Sequence, residues 1–383
     1  MSQQVGRRRV GVIVNPIAGM GGRVGLKGTD GTATLARARD LGAEPMAAAR
    51  CAEALDLLRP LGAGIEIVAP PAAQGADAAA AAGLDARILH DLPAPSGTGA
   101  DTAAAAARLL AEGVDLILFA GGDGTARDVA GAVGTRLPIL GVPTGVKMHS
   151  AVFGTSPRAT GRTAAAFLGG EGPAIHLREA EVMDIDEDAL RQGRVSARLH
   201  GLARVPHARG LVQACKAGAR PDDEAALDAL ARVIAREWPA ERLMILGCGS
   251  TTRRLKRAMG FEGTLLGVDV ALGGRPLALD VTEAQLLRLL DRVRDAGILA
   301  SVTGGQGFLF GRGNQQISAE VIRRVGRQAI MVMTGANKLA TLDPPALQVD
   351  TGDAEVDTML AGYIQVHTAP GQRMVMRVAA GAA

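Results

Sequence analysis

The sequence predicts an α/β protein in two lobes: an N-terminal doubly wound α/β lobe over residues 1–172, and a C-terminal β-containing lobe over residues 173–383 with an additional α/β stretch at about 220–340. Three observations predict it. Short apolar runs alternate with segments of helical spacing through the first half, the pattern of a parallel sheet covered on both faces. The apolar runs of that half end in glycine-rich polar loops, which on such sheets gather at the carboxyl ends of the strands. From residue 174 the character changes to strand-length segments with turn-rich separators, before a second α/β alternation starts near residue 242.

In chain order, residues 9–14 read as a buried strand ended by Asn15 and Pro16. Two glycine clusters follow, one holding Gly19, Gly21, Gly22 and Arg23, the other Lys27, Gly28, Thr29 and Asp30. Together they form an expected anion cradle, in which Asn15 bridges backbone and ligand oxygens and Arg23 and Lys27 supply charge. The alternative is a long mobile surface loop. Residues 35–41 and 47–58 read as helices, 64–69 as a strand, and 76–83 and 100–112 as alanine-dominated helices. Asp101 stands near the start of the last of these, where a carboxylate suits the helix dipole.

The run 114–119 is a further buried strand; it breaks into Gly121, Gly122, Asp123, Gly124 and Thr125, and helical spacing resumes over 126–133. Glycines let a backbone approach an anion closely, and the following helix start supplies N–H donors and a positive dipole end. Asp123 is the anomaly. A carboxylate facing a phosphate is repelled unless a divalent metal, a cation or a hydroxyl awaiting deprotonation lies between them, so the loop suggests phosphoryl transfer more than passive anion binding. Residues 137–142 form the next strand, which exits through Pro143, Thr144, Gly145, Lys147 and His149. Lys147 can neutralise charge there, while a lone His beside a strand end is more often a hydrogen-bonded structural residue. A helix over 161–170 leads out of the lobe.

In the second half, strands are expected at 179–185, 195–202 and 210–216, and a helix at 221–238. A strand at 242–246 then opens into a Gly-Cys-Gly turn with Ser250, Thr251 and Thr252, ahead of a helix at 253–259. Small hydroxyl residues between glycine and a helix start again make an anion seat. A strand at 265–272, a helix at 283–296 and a strand at 300–303 lead into the loop 304–316, which carries Gln306, Phe308, Phe310, Arg312, Asn314 and Gln315. Those aromatics either pack a ligand ring whose polar edge is read by their neighbours, or form a core Phe pair under a glycine-rich turn. Strands at 329–334, 363–368 and 373–378 close the chain.

Composition narrows the function classes. Glycine, at 51 of 383 residues, is about twice its usual share, which places most of it in turns and loops. Lys+Arg of 42 against Asp+Glu of 39 is too balanced for a polyanion-coating protein, and one Trp and one Tyr offer few stacking platforms for bases. Nucleic acid is therefore not an expected partner. Cys51, Cys215 and Cys248 are odd in number and widely spaced, which suits neither a disulfide framework nor a zinc site and points to a reducing, cytoplasmic setting. The basic lead-in Arg7, Arg8 and Arg9 precedes an apolar run too short for a signal sequence, and no stretch is long enough to span a membrane.

The loop 121–125 resembles the signature of the NAD kinase, diacylglycerol kinase and phosphofructokinase superfamily, and Asn15-Pro16 with the glycines after it is similar to the phosphate-binding segment of the lipid-kinase branch. Residues 15–31, 143–150 and 304–316 together resemble the ATP-NAD kinase-like family that includes the acetoin-catabolism protein AcoX, over nearly the whole chain. The resemblance implies an N-terminal lobe of NAD kinase/phosphofructokinase type, with the active site in the cleft between lobes. It implies Asp123 as catalytic base or metal-organising group, and Gly121, Gly122, Gly124 and Thr125 as phosphate holders. Segment 15–30 and Pro143, Thr144, Gly145 and Lys147 then form the donor side. The implied donor is ATP, or polyphosphate, with Mg²⁺; the implied acceptor is a hydroxyl of NAD or of another small metabolite, and a homo-oligomer is expected because kinases of the superfamily often self-associate.

Two departures bear on the acceptor. NAD kinases typically carry an asparagine where this chain reads 141–145, and later an Asn-Glu pair that grips the nicotinamide riboside; this chain has no Asn-Glu pair. Ser250, Thr251, Thr252, Gln306, Arg312, Asn314 and Gln315 are the candidate acceptor-side residues, and no metal-ligand set is legible. The competing readings are a catalytically silent nucleotide- or metabolite-binding regulator of the same fold, and a lipid kinase, which the absence of a basic amphipathic helix disfavours.

Overall fold

The computed structural model describes residues 7–26, 32–145, 148–170, 172, 174–185, 197–208, 211–212, 221–303 and 306–380. In the first lobe, β1 (Arg8–Val14), β2 (Ile65–Ala69), β3 (Ala86–Ile88), β4 (Leu116–Gly121) and β5 (Ile139–Pro143) form a five-stranded parallel sheet in the order β3-β2-β1-β4-β5. Among the described residues, six helices accompany it: α1 (Thr32–Asp40), α2 (Ala47–Asp56), α3 (Ala76–Ala81), α4 (Gly99–Ala111), α5 (Asp123–Val133) and α6 (Pro157–Phe167). Helices α2, α3 and α6 pack beside one another, as do α4 and α5. Right-handed crossovers put these two groups on opposite faces, so β1 and β4 are buried on both sides and read as continuous apolar runs.

Strand order reverses at β1, and the register there decides where a site can form. Val14 pairs with Ala120, Ala120 with Val142, and Gly121 with Pro143. The chain therefore leaves β1, β4 and β5 at the same height and on the same edge, the switch point at which open α/β sheets bind ligands.

The ribbon of β6 (His176–Ile185) and β7 (Ala197–His207) is antiparallel. It follows residue 172, yet its inward residues Ala180, Val182, Ala203 and Val205 complete the core of the first lobe.

The second lobe is built on one nine-stranded mixed sheet, ordered β10-β9-β8-β11-β13-β15-β16-β14-β12. Its strands are β8 (Leu243–Leu246), β9 (Asp269–Leu272), β10 (Arg275–Ala278), β11 (Ala296–Ala300), β12 (Phe308–Phe310), β13 (Ile330–Met333), β14 (Ala346–Val349), β15 (Gly362–Ala369) and β16 (Gln372–Ala380). Helices α7 (Pro221–Glu237), α8 (Ser250–Ala258), α9 (Glu283–Leu290), α10 (Ala319–Val325), α11 (Ala336–Ala340) and α12 (Ala354–Leu360) cover it. The α/β stretch and the β-rich end expected from the sequence thus share one sheet, with β8, β11 and β13 parallel and β15 and β16 an antiparallel hairpin. Along β8, Leu243 and Ile245 face one core while Met244 and Leu246 face a second core with Leu227, Leu230 and Leu255. That two-residue alternation is how a single strand serves two layers.

Several elements start or end away from their expected bounds, for local reasons. Helix α6 starts at Pro157 because Ser156 caps it, accepting from the Ala159 N–H. Helix α9 opens with a Thr282/Gln285 capping box but ends at Leu290, and the chain re-enters the sheet at Ala296. Gly297 is required there, since a Cβ would stand 2.7 Å from the Trp238 ring. Helices α5 and α8 begin at Asp123 and Ser250, three residues earlier than helical spacing suggested, which puts those residues in the first turn. The strand expected at 210–216 lies outside the described residues except for 211–212.

Candidate active site

At the end of β4, Gly121 packs so closely on the first turn of α5 that a Cβ would lie 2.3 Å from the Thr125 hydroxyl. Gly122 caps the helix without a side chain, and Gly145 stands against it: a Cβ on Gly145 would meet the Gly122 Cα at 2.8 Å. A Cβ on Gly124, by contrast, would meet nothing within 4 Å. The three exits are tied together here. The Asn15 N–H donates to the Ala120 carbonyl at 3.0 Å, its Nδ2 donates to Thr125 Oγ1 at 3.0 Å, and the N–H groups of Thr144 and Gly145 donate to the Gly121 carbonyl. Asn15 is thus a bracket between β1 and α5; its Oδ1 accepts from the Ile17 N–H.

Asp123 is buried, and each of its oxygens is held by a backbone donor. Oδ2 accepts from the His149 N–H at 2.7 Å, and Oδ1 from the Ser150 N–H at 2.9 Å. The His149 ring is also buried, with Nδ1 3.5 Å from Oδ2. The carboxylate therefore pins the segment after β5 to the start of α5. Ser150 extends the chain of contacts to the ribbon by accepting from the Met183 N–H at 2.9 Å, and Gln306 extends it to the second lobe by donating to the Met148 carbonyl at 2.7 Å.

Thr144 lies at the centre of this convergence. Its Oγ1 is buried and, among the described residues, makes no hydrogen bond. A buried hydroxyl without a partner is uncommon and calls for a ligand or water to complete it. Gly19, at φ +81°, presses against the Thr144 carbonyl so tightly that a Cβ would stand 2.0 Å from it.

The rest of segment 15–26 forms compact turns that cross to the second lobe. The Leu26 N–H donates to the Gly21 carbonyl, Gly22 faces Gln315, and the Arg23 carbonyl accepts from the Glu283 N–H at 3.1 Å. The Arg23 side chain is half-exposed beside Glu283, and Pro16 is exposed. Lys27, Gly28, Thr29, Asp30 and Lys147 lie outside the described residues.

Most candidate acceptor-side residues have their side chains occupied by the protein. Asn314 donates to the Leu309 carbonyl and accepts from the Gly311 N–H, Gln315 donates to the Gly311 carbonyl, and Thr252 donates to the Gly249 carbonyl. Arg312 pairs with Asp350, and Thr251 is buried beside Ser250 at the start of α8. Phe308 and Phe310 are buried in β12, and the Arg312 guanidinium lies 4.6 Å from the Phe308 ring centre.

Sequence reasoning missed Arg50, Ser150 and Asp350. The Arg50 Nε donates to the Pro143 carbonyl at 2.7 Å, and its Nη2 pairs with Asp350 across the lobes. Its only local signal is a lone charged residue among the small residues that begin α2. Among the described residues no three His, Cys, Asp or Glu side chains converge as a metal site.

Fold and site together define a two-lobed α/β protein whose glycine-rich loops converge at a topological switch point of the first sheet. The family comparisons agree. The ATP-NAD kinase N-terminal domain matches residues 10–172, and the ATP-NAD kinase C-terminal domain matches residues 241–378. The chain belongs to the ATP-NAD kinase family. No curated protein matches it. Among the described residues, no helix is long and apolar enough to cross a membrane.

Proposed function

We propose that the chain is a phosphotransferase of the AcoX type, which moves a phosphoryl group from ATP, or polyphosphate, to a hydroxyl of NAD or of another small metabolite. The observation that carries this reading is the level register of β1, β4 and β5. It brings Asn15, the 121–125 loop and Thr144 to one edge, with a buried hydroxyl that has no partner among the described residues and an open face at Gly124. An oligoanion satisfies the Thr144 Oγ1 and meets the first turn of α5, which has no side-chain cap.

Within this reading Asp123 holds the 148–150 segment and presents a carboxylate edge to the acceptor hydroxyl, orienting or deprotonating it. Mg²⁺ binds proteins through one or two carboxylates plus substrate phosphates, so Asp123 and the donor's own phosphates would hold it, and it would supply charge neutralisation during transfer. A reducing, cytoplasmic setting and a homo-oligomeric assembly belong to the same proposal. Incubating the purified protein with ATP or polyphosphate, Mg²⁺ and a panel of NAD, sugars and polyols tests it: a phosphorylated acceptor is the expected outcome. Nucleotide binding with no product from any acceptor favours the silent regulator, which the occupied oxygens of Asp123 and the occupied acceptor-side side chains also support.

A further inference from the structure

The lobes meet at a buried ion triad that phosphoryl transfer itself does not use. Arg50, on α2, and Arg312, after β12, both pair with Oδ2 of Asp350, which follows β14; the Arg312 contact is 2.8 Å. The side chains are 13%, 4% and 7% exposed for Arg50, Arg312 and Asp350. Each arginine also grips a first-lobe carbonyl: Arg50 that of Pro143 at 2.7 Å, Arg312 that of Thr155 at 3.2 Å. Gly311, at φ +90°, lets the Arg312 loop close on Asp350, since a Cβ there would stand 1.9 Å from the Asp350 carbonyl.

A buried ion group of this kind adds little net stability over apolar residues of the same volume, and its better-attested use is to fix one arrangement among several. What it fixes here is specific. The Pro143 carbonyl held by Arg50 immediately precedes Thr144, whose buried hydroxyl has no hydrogen-bond partner among the described residues. Arginine suits this task because its fork serves the carbonyl and the carboxylate at once, which an ammonium cannot do in one fixed geometry.

The geometry points to Arg50 and Asp350 as positioning residues: through the Pro143 carbonyl they set the Thr144 segment for an anionic ligand, so that a contact in the second lobe tunes phosphate binding in the first. This rests on the phosphotransfer reading for the identity of the ligand, but not for the positioning itself. Two variants, Asp350→Asn and Arg50→Lys, test it through amide hydrogen exchange without ligand and ATP titration calorimetry. In both variants the Thr144 and Gly145 amides, which donate to the Gly121 carbonyl, are expected to exchange at least tenfold faster. The Thr264 amide, held by the buried Asp269 carboxylate in the second lobe, is expected to keep its rate. ATP affinity is expected to fall about tenfold.

Uniform acceleration, including Thr264, makes the triad a mere stabiliser and overturns the proposal. Unchanged exchange at Thr144 and Gly145 in a folded Arg50→Lys protein overturns it as well. Local acceleration in a protein that binds no ATP in its unmutated form upholds the positioning role and removes the nucleotide reading instead.

Discussion

Asp123 and Thr144 stand on opposite sides of one question, namely which polar groups where the loops of β4 and β5 meet are satisfied by the protein and which are left for a ligand. Asp123 has both oxygens on backbone donors, so part of its charge is already spent on holding His149 and Ser150. Asp123→Asn keeps the volume but turns one oxygen into a donor that faces an N–H. If the carboxylate also orients the acceptor, turnover should drop about a hundredfold or more while ATP affinity moves only a few-fold, as expected for a group that acts mainly in the transition state. Steady-state kinetics beside a binding titration decide it, and an equal loss in both would leave Asp123 as a loop anchor alone. Thr144→Val is the complementary change. Removing a buried hydroxyl that has no partner among the described residues should leave the ligand-free protein as stable as before or about 1 kcal/mol more stable. ATP binding should weaken at the same time. Chemical denaturation and calorimetry read the two effects separately, and a loss of stability with unchanged binding would mean that the hydroxyl is satisfied internally.

Between elements, the site depends on loops that only glycine can close. Gly19 at φ +81° lies against the Thr144 carbonyl, so Gly19→Ala meets both a left-handed backbone and a 2.0 Å clash. Strain of this kind costs about 1–3 kcal/mol, and thermal melting of the variant should show a loss at the upper end of that range or beyond; an unchanged melt would mean the 15–26 turns do not bear on β5. These turns were legible in the sequence because a glycine's requirement is local: Gly121, Gly122 and Gly124 follow an apolar run and precede helical spacing, and the strand-loop-helix unit is there. Less legible was the start of α5 at Asp123 itself, because capping by Gly122 leaves no side-chain signature. The short elements β12, β14, α10 and α12 escaped for a related reason: each has too few residues to display a period, and each is held by neighbours distant in sequence. The anion cradle expected at 15–30 shows the reverse limit. Composition located the loop, but Asn15 serves the protein's own Thr125, and Arg23 leans on Glu283.

Across the whole molecule, Arg50 and Asp350 are 300 residues apart, so no local pattern could have paired them. Their cluster also makes stability pH-dependent on the acid side. Burial alone would raise the Asp350 pKa, but Arg50 and Arg312 outweigh it and hold the carboxyl below its ordinary range. A depressed carboxyl stabilises the fold fully above its unfolded value of about 3.9, and the contribution is lost as pH falls through the lower folded value. Glu53 and Asp357 face the same cluster and are pushed upward by burial, so their ionisation costs stability at neutral pH and that cost is relieved as pH falls toward their unfolded values, before the Asp350 contribution is lost. The alkaline side has a simpler source. Cys51, fully buried on α2 one residue from Arg50, has its thiol raised from 9.0 to about 12 by burial. Below pH 9 both folded and unfolded chains keep that proton. Above it the unfolded chain releases the proton first, so stability must fall as pH climbs from 9 toward about 12. Cys51→Ala removes the titration while leaving every other alkaline group in place. Urea midpoints taken from pH 8 to 11 should decline more steeply for the parent than for the variant, the two curves converging as pH rises. Parallel curves would show that the thiol is reached by solvent in the native state, and with that the packing of α2 beneath the Pro143 carbonyl would have to be redrawn.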